Sequence, residues 1–214
     1  MAKVALPEYM REDRLESRTA WGRCGPFITI SRQYGCYGFS LGLLVQIVDP
    51  FARQYLGLQG WEPAVALALG GGATLALLIP LGRLGDRMGP RRLLVSGLAL
   101  CGVVLLLLPL CRHLLLVAVA AALLGTSYAL ILPAWNKTLL AHTPPGERGV
   151  LMGAFMTIEG TGLSVGVAAS GHLWELLGPP APFLLAGTAL CLVALAYSVY
   201  MPPTLEALQE RGQP

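Results

Sequence analysis

Charge is the scarcest ingredient of this sequence. Asp, Glu, Lys and Arg make up 13% of the 214 residues, against about 25% in an ordinary soluble domain. With hydrophobic residues at 55%, the chain cannot cover a water-facing surface in the usual way, and a soluble globular fold is excluded. Cysteine is confined to Cys24, Cys36, Cys101, Cys111 and Cys191. No two of them stand at the short spacing of a zinc or thiol-redox site, so free thiols are expected. His113, His142 and His172 each lack a ligand partner at a convincing spacing. The sequence therefore points to no metal, no cofactor, no catalytic constellation and no nucleic-acid partner. The opening stretch MAKVALPEYMREDRLESR also lacks the apolar core of a signal peptide. It is expected to stay in the cytoplasm as a soluble arm.

Long apolar runs supply what charge does not. A bilayer core of about 30 Å needs about 20 residues of helix. Residues 63–81, 93–111, 114–134, 150–173 and 182–201 meet that length with few or no internal charges. A sixth run, 38–56, is weaker because it holds Gln46, Asp49, Arg53 and Gln54, yet it too is counted as a span. The fold class is all-α: a polytopic bundle of six transmembrane helices over 38–202. A cytoplasmic arm (1–37) precedes it and a short cytoplasmic tail (203–214) follows.

Orientation follows from where the positive charge lies. With the N-terminus inside, only Arg53 and Arg112 fall on the outer side, leaving 13 of the 15 basic residues on the inner side. Both termini are then cytoplasmic, in contact with a plasma-membrane bilayer. An odd number of spans would break the alternation, so the asymmetry also supports the sixth.

The densest charge sits in GRLGDRMGPRR, residues 82–92, between two apolar runs. The glycines let two helix ends turn with little bulk. Asp86 can accept hydrogen bonds at a helix N-terminus, and Arg87, Arg91 and Arg92 can bind carbonyls at helix C-termini or lipid phosphates. Gly82, Asp86, Arg87, Gly89, Arg91 and Arg92 form a G-x-x-x-D-R-x-G-x-R-R pattern that resembles the signature loop of the major facilitator superfamily. That loop lies between the family's second and third helices and again between its eighth and ninth. The layout fits, with one helix and a short turn before it and four helices after. PFARQYLGL (50–58) and PPGERGVLMG (144–153) are softer echoes.

The resemblance implies a secondary carrier that moves a small solute by alternating access. In that family two six-helix halves hold substrate between them, and the signature loop helps latch one conformation. One half is present here, which implies a homodimer or pairing with a second half-transporter chain. A fragment or a truncated, non-transporting membrane protein is the alternative. The fourth span, AALLGTSYALILPAW, keeps Gly125 but lacks the embedded arginine of many first halves. GTGLSVGVAASG (160–171) partly resembles an antiporter pattern, with Val167 where proline is expected. The missing arginine, together with the short tail, favours the second half.

Ionisable residues deep in an apolar span are functional candidates by default. Glu159 stands well inside the fifth run, placed to take a proton or a cationic group, or else held neutral within the bundle. Asp49 and Arg53 are four apart on one helix face, a spacing that lets them pair; Pro50 between them loosens the helix. They are read either as a moving gate or as a pair that satisfies itself near the outer surface. A transporting unit is expected to put Glu159 and Asp49 on a common face. Trp135 and Asn136 close the fourth span as interfacial anchors.

One stretch fits none of this. GPFITISRQYGCYGFSLGLL (25–44) reads as a strand-like FITI, a glycine turn and a helix, the order of a phosphate-binding loop. It resembles the opening of cytidylate-kinase-like proteins. The G-K-[ST] ending is missing, so no lysine reaches a phosphate. A fusion remnant or a coincidental arm is expected, rather than a membrane-tethered kinase.

Overall fold

A computed structural model describes residues 24–111, 113–142 and 148–200. The arm before Cys24, the tail after Tyr200, Arg112 and the TPPGE stretch lie outside the described residues. All regular structure among the described residues is helical. Six helices carry the fold: α1 (Cys24–Val45), α2 (Glu62–Met88), α3 (Pro90–Leu107), α4 (Leu114–His142), α5 (Arg148–Leu177) and α6 (Ala181–Tyr200). The last five are long and apolar enough to cross a membrane singly.

The first span differs from expectation in two ways. It begins at Cys24 rather than 38, so FITI is helical and not a strand. A β-branched run is only a weak prior for strand, which helical context overrides. It is also broken: Ser31–Val45 and Val48–Tyr55 meet at a 50° bend. The chemistry of Pro50 accounts for the break. Proline has no N–H for the carbonyl four residues back, that of Gln46, and its ring crowds the same turn. The chain leaves α1 at Gln46–Ile47, resumes over Val48–Pro50 and widens into a π-helical turn at Phe51–Tyr55. If the bent pair is one span, the count is six.

The GRLGDRMGPRR stretch is not a loop. α2 runs to Met88 and α3 starts at Pro90, leaving Gly89 alone as the break, with φ +81°. Proline at the first position of α3 loses nothing, since that N–H has no helical partner. Gly82 lies inside α2 with open space around it, so the turn does not depend on its small size.

Packing is pairwise: α1 lies along α5, α2 along α4, and α3 along both α6 and α4. In lipid the helices gain little by hiding apolar surface from one another, so close van der Waals contact has to join them, and small residues permit it. The α1–α5 seam shows this. Gly38 and Gly42 face the backbone of Glu159 and Leu163, while Gly162 and Gly166 face the backbone of Gly35 and Phe39. Any Cβ at these four positions would collide with main chain. Gly70 and Gly125 make the same approach between α2 and α4, where the Thr74 hydroxyl donates to the Gly125 carbonyl at 2.9 Å. Three buried hydroxyls bond to carbonyls of their own helices: Ser40 on Cys36, Ser127 on Leu124, Ser170 on Val167. Without water in the bilayer core, such groups need an internal partner.

Burial is uneven. Within their apolar stretches 44% of the residues of α3 and of α6 are buried in the bundle, against 6% for α2 and 11% for α5. Leu75, Ile79, Val150, Met156 and Val165 stand exposed on those two helices. α3 and α6 are the structural spine, and α2 and α5 carry free apolar surface.

Candidate functional site

Among the described residues, two cavities lie toward opposite ends of the bundle and share no lining residue. The first, of about 290 Å³, lies by the bend after α1. Leu44, Phe51, Leu58, Ala66, Leu105 and Phe183 make it almost wholly apolar, with Asp49 as its charged lining residue. Asp49 is already engaged: the Arg53 Nε donates to both of its carboxylate oxygens, at 2.9 and 3.0 Å. Both side chains are at least half exposed within the bundle, and the pair is local to one turn.

The second cavity, of about 230 Å³, lies between α1, α4 and α5 toward the Gly89 end. Tyr34 and Tyr37 come from α1, Tyr128, Trp135 and Asn136 from α4, and Phe155, Met156 and Glu159 from α5. Its floor is aromatic. The Tyr34 ring lies 4.1 Å from Trp135 and 5.1 Å from Phe155, and Tyr37 lies 5.5 Å from Trp135. All four of these residues are at most 7% exposed, whereas Tyr128 (42%) and Met156 (64%) stand at the rim. The floor is thus closed and the mouth open.

Glu159 is partly buried at this cavity. Its carboxylate has no hydrogen bond or ion pair among the described residues, and no Lys, Arg or His lines the space. The α1–α5 glycine seam places it, since Gly38 packs on its backbone and holds the α1 tyrosines beside it. A further polar group is unsatisfied there: Trp135 Nε1 is buried without an acceptor.

The expected site residues are thereby sorted. Asp49 and Arg53 come together, but Glu159 and Asp49 do not share a face: they line separate cavities, with Asp49 beyond the 50° bend and Glu159 beside Gly38 further back along α1. Trp135 is no interfacial anchor but a buried floor residue, turned inward to pack on Tyr34; Asn136 beside it remains exposed. In the signature stretch, the Arg91 guanidinium donates to the Ser198 carbonyl in the last turn of α6, and Arg92 is exposed. The side chains of Asp86, Arg87 and His142 lie outside the described residues. Lys137 of α4 donates to the Gly82 carbonyl at 3.4 Å, a second cation on helix carbonyls near the same end. Among the described residues no group of three or more His, Cys, Asp or Glu could hold a metal ion.

Tyr34, Tyr37, Tyr128 and Phe155 were invisible as site residues in the sequence. Their only signal was the spacing of Tyr34 and Tyr37 on one helix face, inside the stretch that reads as a kinase-like opening.

The profile of the Major Facilitator Superfamily matches residues 33–213. The chain belongs to that family. Among curated relatives it is 25% identical, over 167 residues, to a protein of Staphylococcus haemolyticus named "Proton-coupled antiporter flippase LtaA"; the match covers 76% of this chain and 42% of the relative. The protein of the same name from Staphylococcus saprophyticus is 26% identical over 168 residues, again 76% and 42% of the two chains. That of Staphylococcus aureus strain N315 is 25% identical over 141 residues, 64% and 36%. The chain spans about two fifths of the length of the first two.

Proposed function

We propose that this chain is a six-helix half of a proton-coupled carrier, in which Glu159 is the group that takes up and releases the proton. One observation carries the reading: an acid without a partner among the described residues, in a cavity with an open mouth, inside a bundle built to sit in lipid. A carboxylate in such a place must be protonated, or be neutralised by something that arrives. The two states give a carrier its alternation. The printed name of the Staphylococcus relatives, a proton-coupled antiporter, supports the same coupling.

The cavity volume supports the half-unit reading. Complete small-molecule sites run to about 300–1,000 Å³, and about 230 Å³ opening on one side is part of a site. A second six-helix unit, from another copy or another chain, closes it against the free surfaces of α2 and α5. Positive charge orients the bundle with both termini and the Arg83–Arg92 stretch toward the cytoplasm, so the Glu159 cavity opens on the cytoplasmic half and the Asp49 cavity on the outer half. In the plasma membrane the signature stretch latches helix ends: Arg91 ties α3 to the end of α6, and Asp86, Arg87 and Arg92 serve the partner half or lipid phosphate. The chain works as a transporter and not as an enzyme.

The test uses the full chain in liposomes, with native cysteines replaced and Met156→Cys introduced at the cavity rim. A membrane-impermeant maleimide should label position 156 to different extents when a pH gradient is imposed in opposite directions, and Glu159→Gln should erase the difference. Equal labelling under both gradients would overturn the carrier reading.

A further inference from the structure

We infer that the Glu159 cavity recognises an organic cation, a solute whose ammonium group seats among the aromatic rings beside the carboxylate. This rests on the carrier reading and narrows its substrate class. Three features of the cavity point the same way.

The first is the lining charge. Glu159 is the one acidic side chain among the lining residues, and no cation among the described residues pairs with it. The facing titratable groups are the phenols of Tyr34 and Tyr37 from α1 and of Tyr128 from α4, none of them a cation. An anionic solute would meet an uncompensated negative charge. A neutral polyol would leave the carboxylate charged and unpaired in a low-dielectric setting, which is costly. A cation removes that cost.

The second is the floor. Aromatic faces carry the negative lobe of the ring quadrupole and attract ammonium groups within about 6 Å, most strongly when desolvated. Tyr34, Trp135, Phe155 and Tyr37 form a continuous set with centroids 4.1 to 5.5 Å apart. Packing fixes these rings, so little side-chain entropy is lost when a ligand arrives.

The third is what the site cannot take. Ca²⁺ needs six to eight oxygen ligands and Mg²⁺ near-ideal octahedral geometry; here there is one carboxylate and no cluster of three metal-binding side chains among the described residues. A bulky, weakly hydrated cation needs no such shell. At about 230 Å³ the cavity suits a trialkylammonium head group rather than a whole drug-sized molecule. Proton and cation then compete for one carboxylate, which makes their exchange obligatory.

Choline and dimethylbutanol, its uncharged carbon isostere, separate charge from shape. Binding to the full chain in detergent is measured by equilibrium dialysis. Choline should bind at least about tenfold more tightly than the isostere, and Glu159→Gln should remove that preference. Trp135→Leu should weaken choline about tenfold while Trp135→Phe keeps most of the affinity, which separates loss of the ring face from loss of the fold. Equal affinity for choline and isostere, undiminished choline binding by Glu159→Gln, or no choline binding at all would overturn the inference. Read beside the liposome assay, gradient-dependent labelling at position 156 without a choline preference removes the cation and leaves the carrier. A choline preference without such labelling removes the carrier and leaves a cation site.

Discussion

Asp49 and Glu159 are both acids within apolar helical runs, and the fold treats them in opposite ways. Asp49 follows a helix break, pairs with Arg53 one turn on, and borders an otherwise greasy cavity. Glu159 stands in an unbroken helix, pairs with nothing described, and faces a ring-lined cavity. The local pair needs nothing from outside, because its charges cancel within one turn. The lone acid needs a proton or a cation to complete it. Ionisable residues in a membrane domain are therefore better sorted by whether their partner is already in the chain than by depth alone.

Breaking the scaffold under Glu159 should have the largest effect. Gly162→Leu or Gly38→Leu would drive a side chain into the backbone of the facing helix, and the full chain should no longer elute as a single species in detergent. Gly171→Leu, at a position with open space around it, should elute normally. Next comes the acid itself. Glu159→Gln should abolish gradient-dependent labelling at position 156 in liposomes, whereas Asp49→Asn should leave it within about twofold, since an exposed local pair is worth only about 0.3–0.5 kcal/mol.

The pH dependence sharpens the same contrast. A cation binds the ionised carboxylate and a proton displaces it, so choline affinity should fall as pH is lowered, approaching about tenfold per unit once Glu159 is mostly protonated. The Asp49→Asn chain should show the same profile, and Glu159→Gln a flat one. The smallest effect concerns the two arginines of the signature stretch. Arg91→Ala loses a charged hydrogen bond to the Ser198 carbonyl and should lower thermal stability by about 1 kcal/mol. Arg92→Ala should leave it unchanged in the isolated chain.

Much of this fold was legible in the residues, because lipid imposes a length and a composition that few other structures share. The five continuous spans lie where their apolar runs lie, with helix continuing past the ends into polar residues such as Arg83 and Lys137. The signature pattern was readable for the same reason: it is local. The break after α1 was half visible. Pro50 marked a weak point, but the bend falls at Gln46–Ile47, because proline withdraws its hydrogen bond four residues upstream. The kinase-like opening misled because a strand-like run says little about a segment whose neighbours are helical.

The site was legible in one residue of many. Glu159 stood out because charge in lipid is costly, and that holds wherever the helix points. Its aromatic neighbours come from α1 and α4, and only the α1–α5 seam brings Tyr34 and Tyr37 to them. Trp135 reads as an anchor in sequence because tryptophan near a span end usually is one; its burial depends on a helix the sequence does not place. The glycines of 160–171 matched a family pattern loosely, and the structure supplies their physical role at Gly162 and Gly166: they let α1 approach closely enough to build the cavity floor.

The most direct measurement is carbodiimide labelling of the full chain in liposomes, mapped by mass spectrometry. A hydrophobic carbodiimide adds to a protonated carboxyl in an apolar, reachable place. Glu159 should be modified, choline should protect it, and Asp49, held by two hydrogen bonds from Arg53, should remain unmodified. Modification of Asp49 with Glu159 left intact would contradict the assignment of the lone acid.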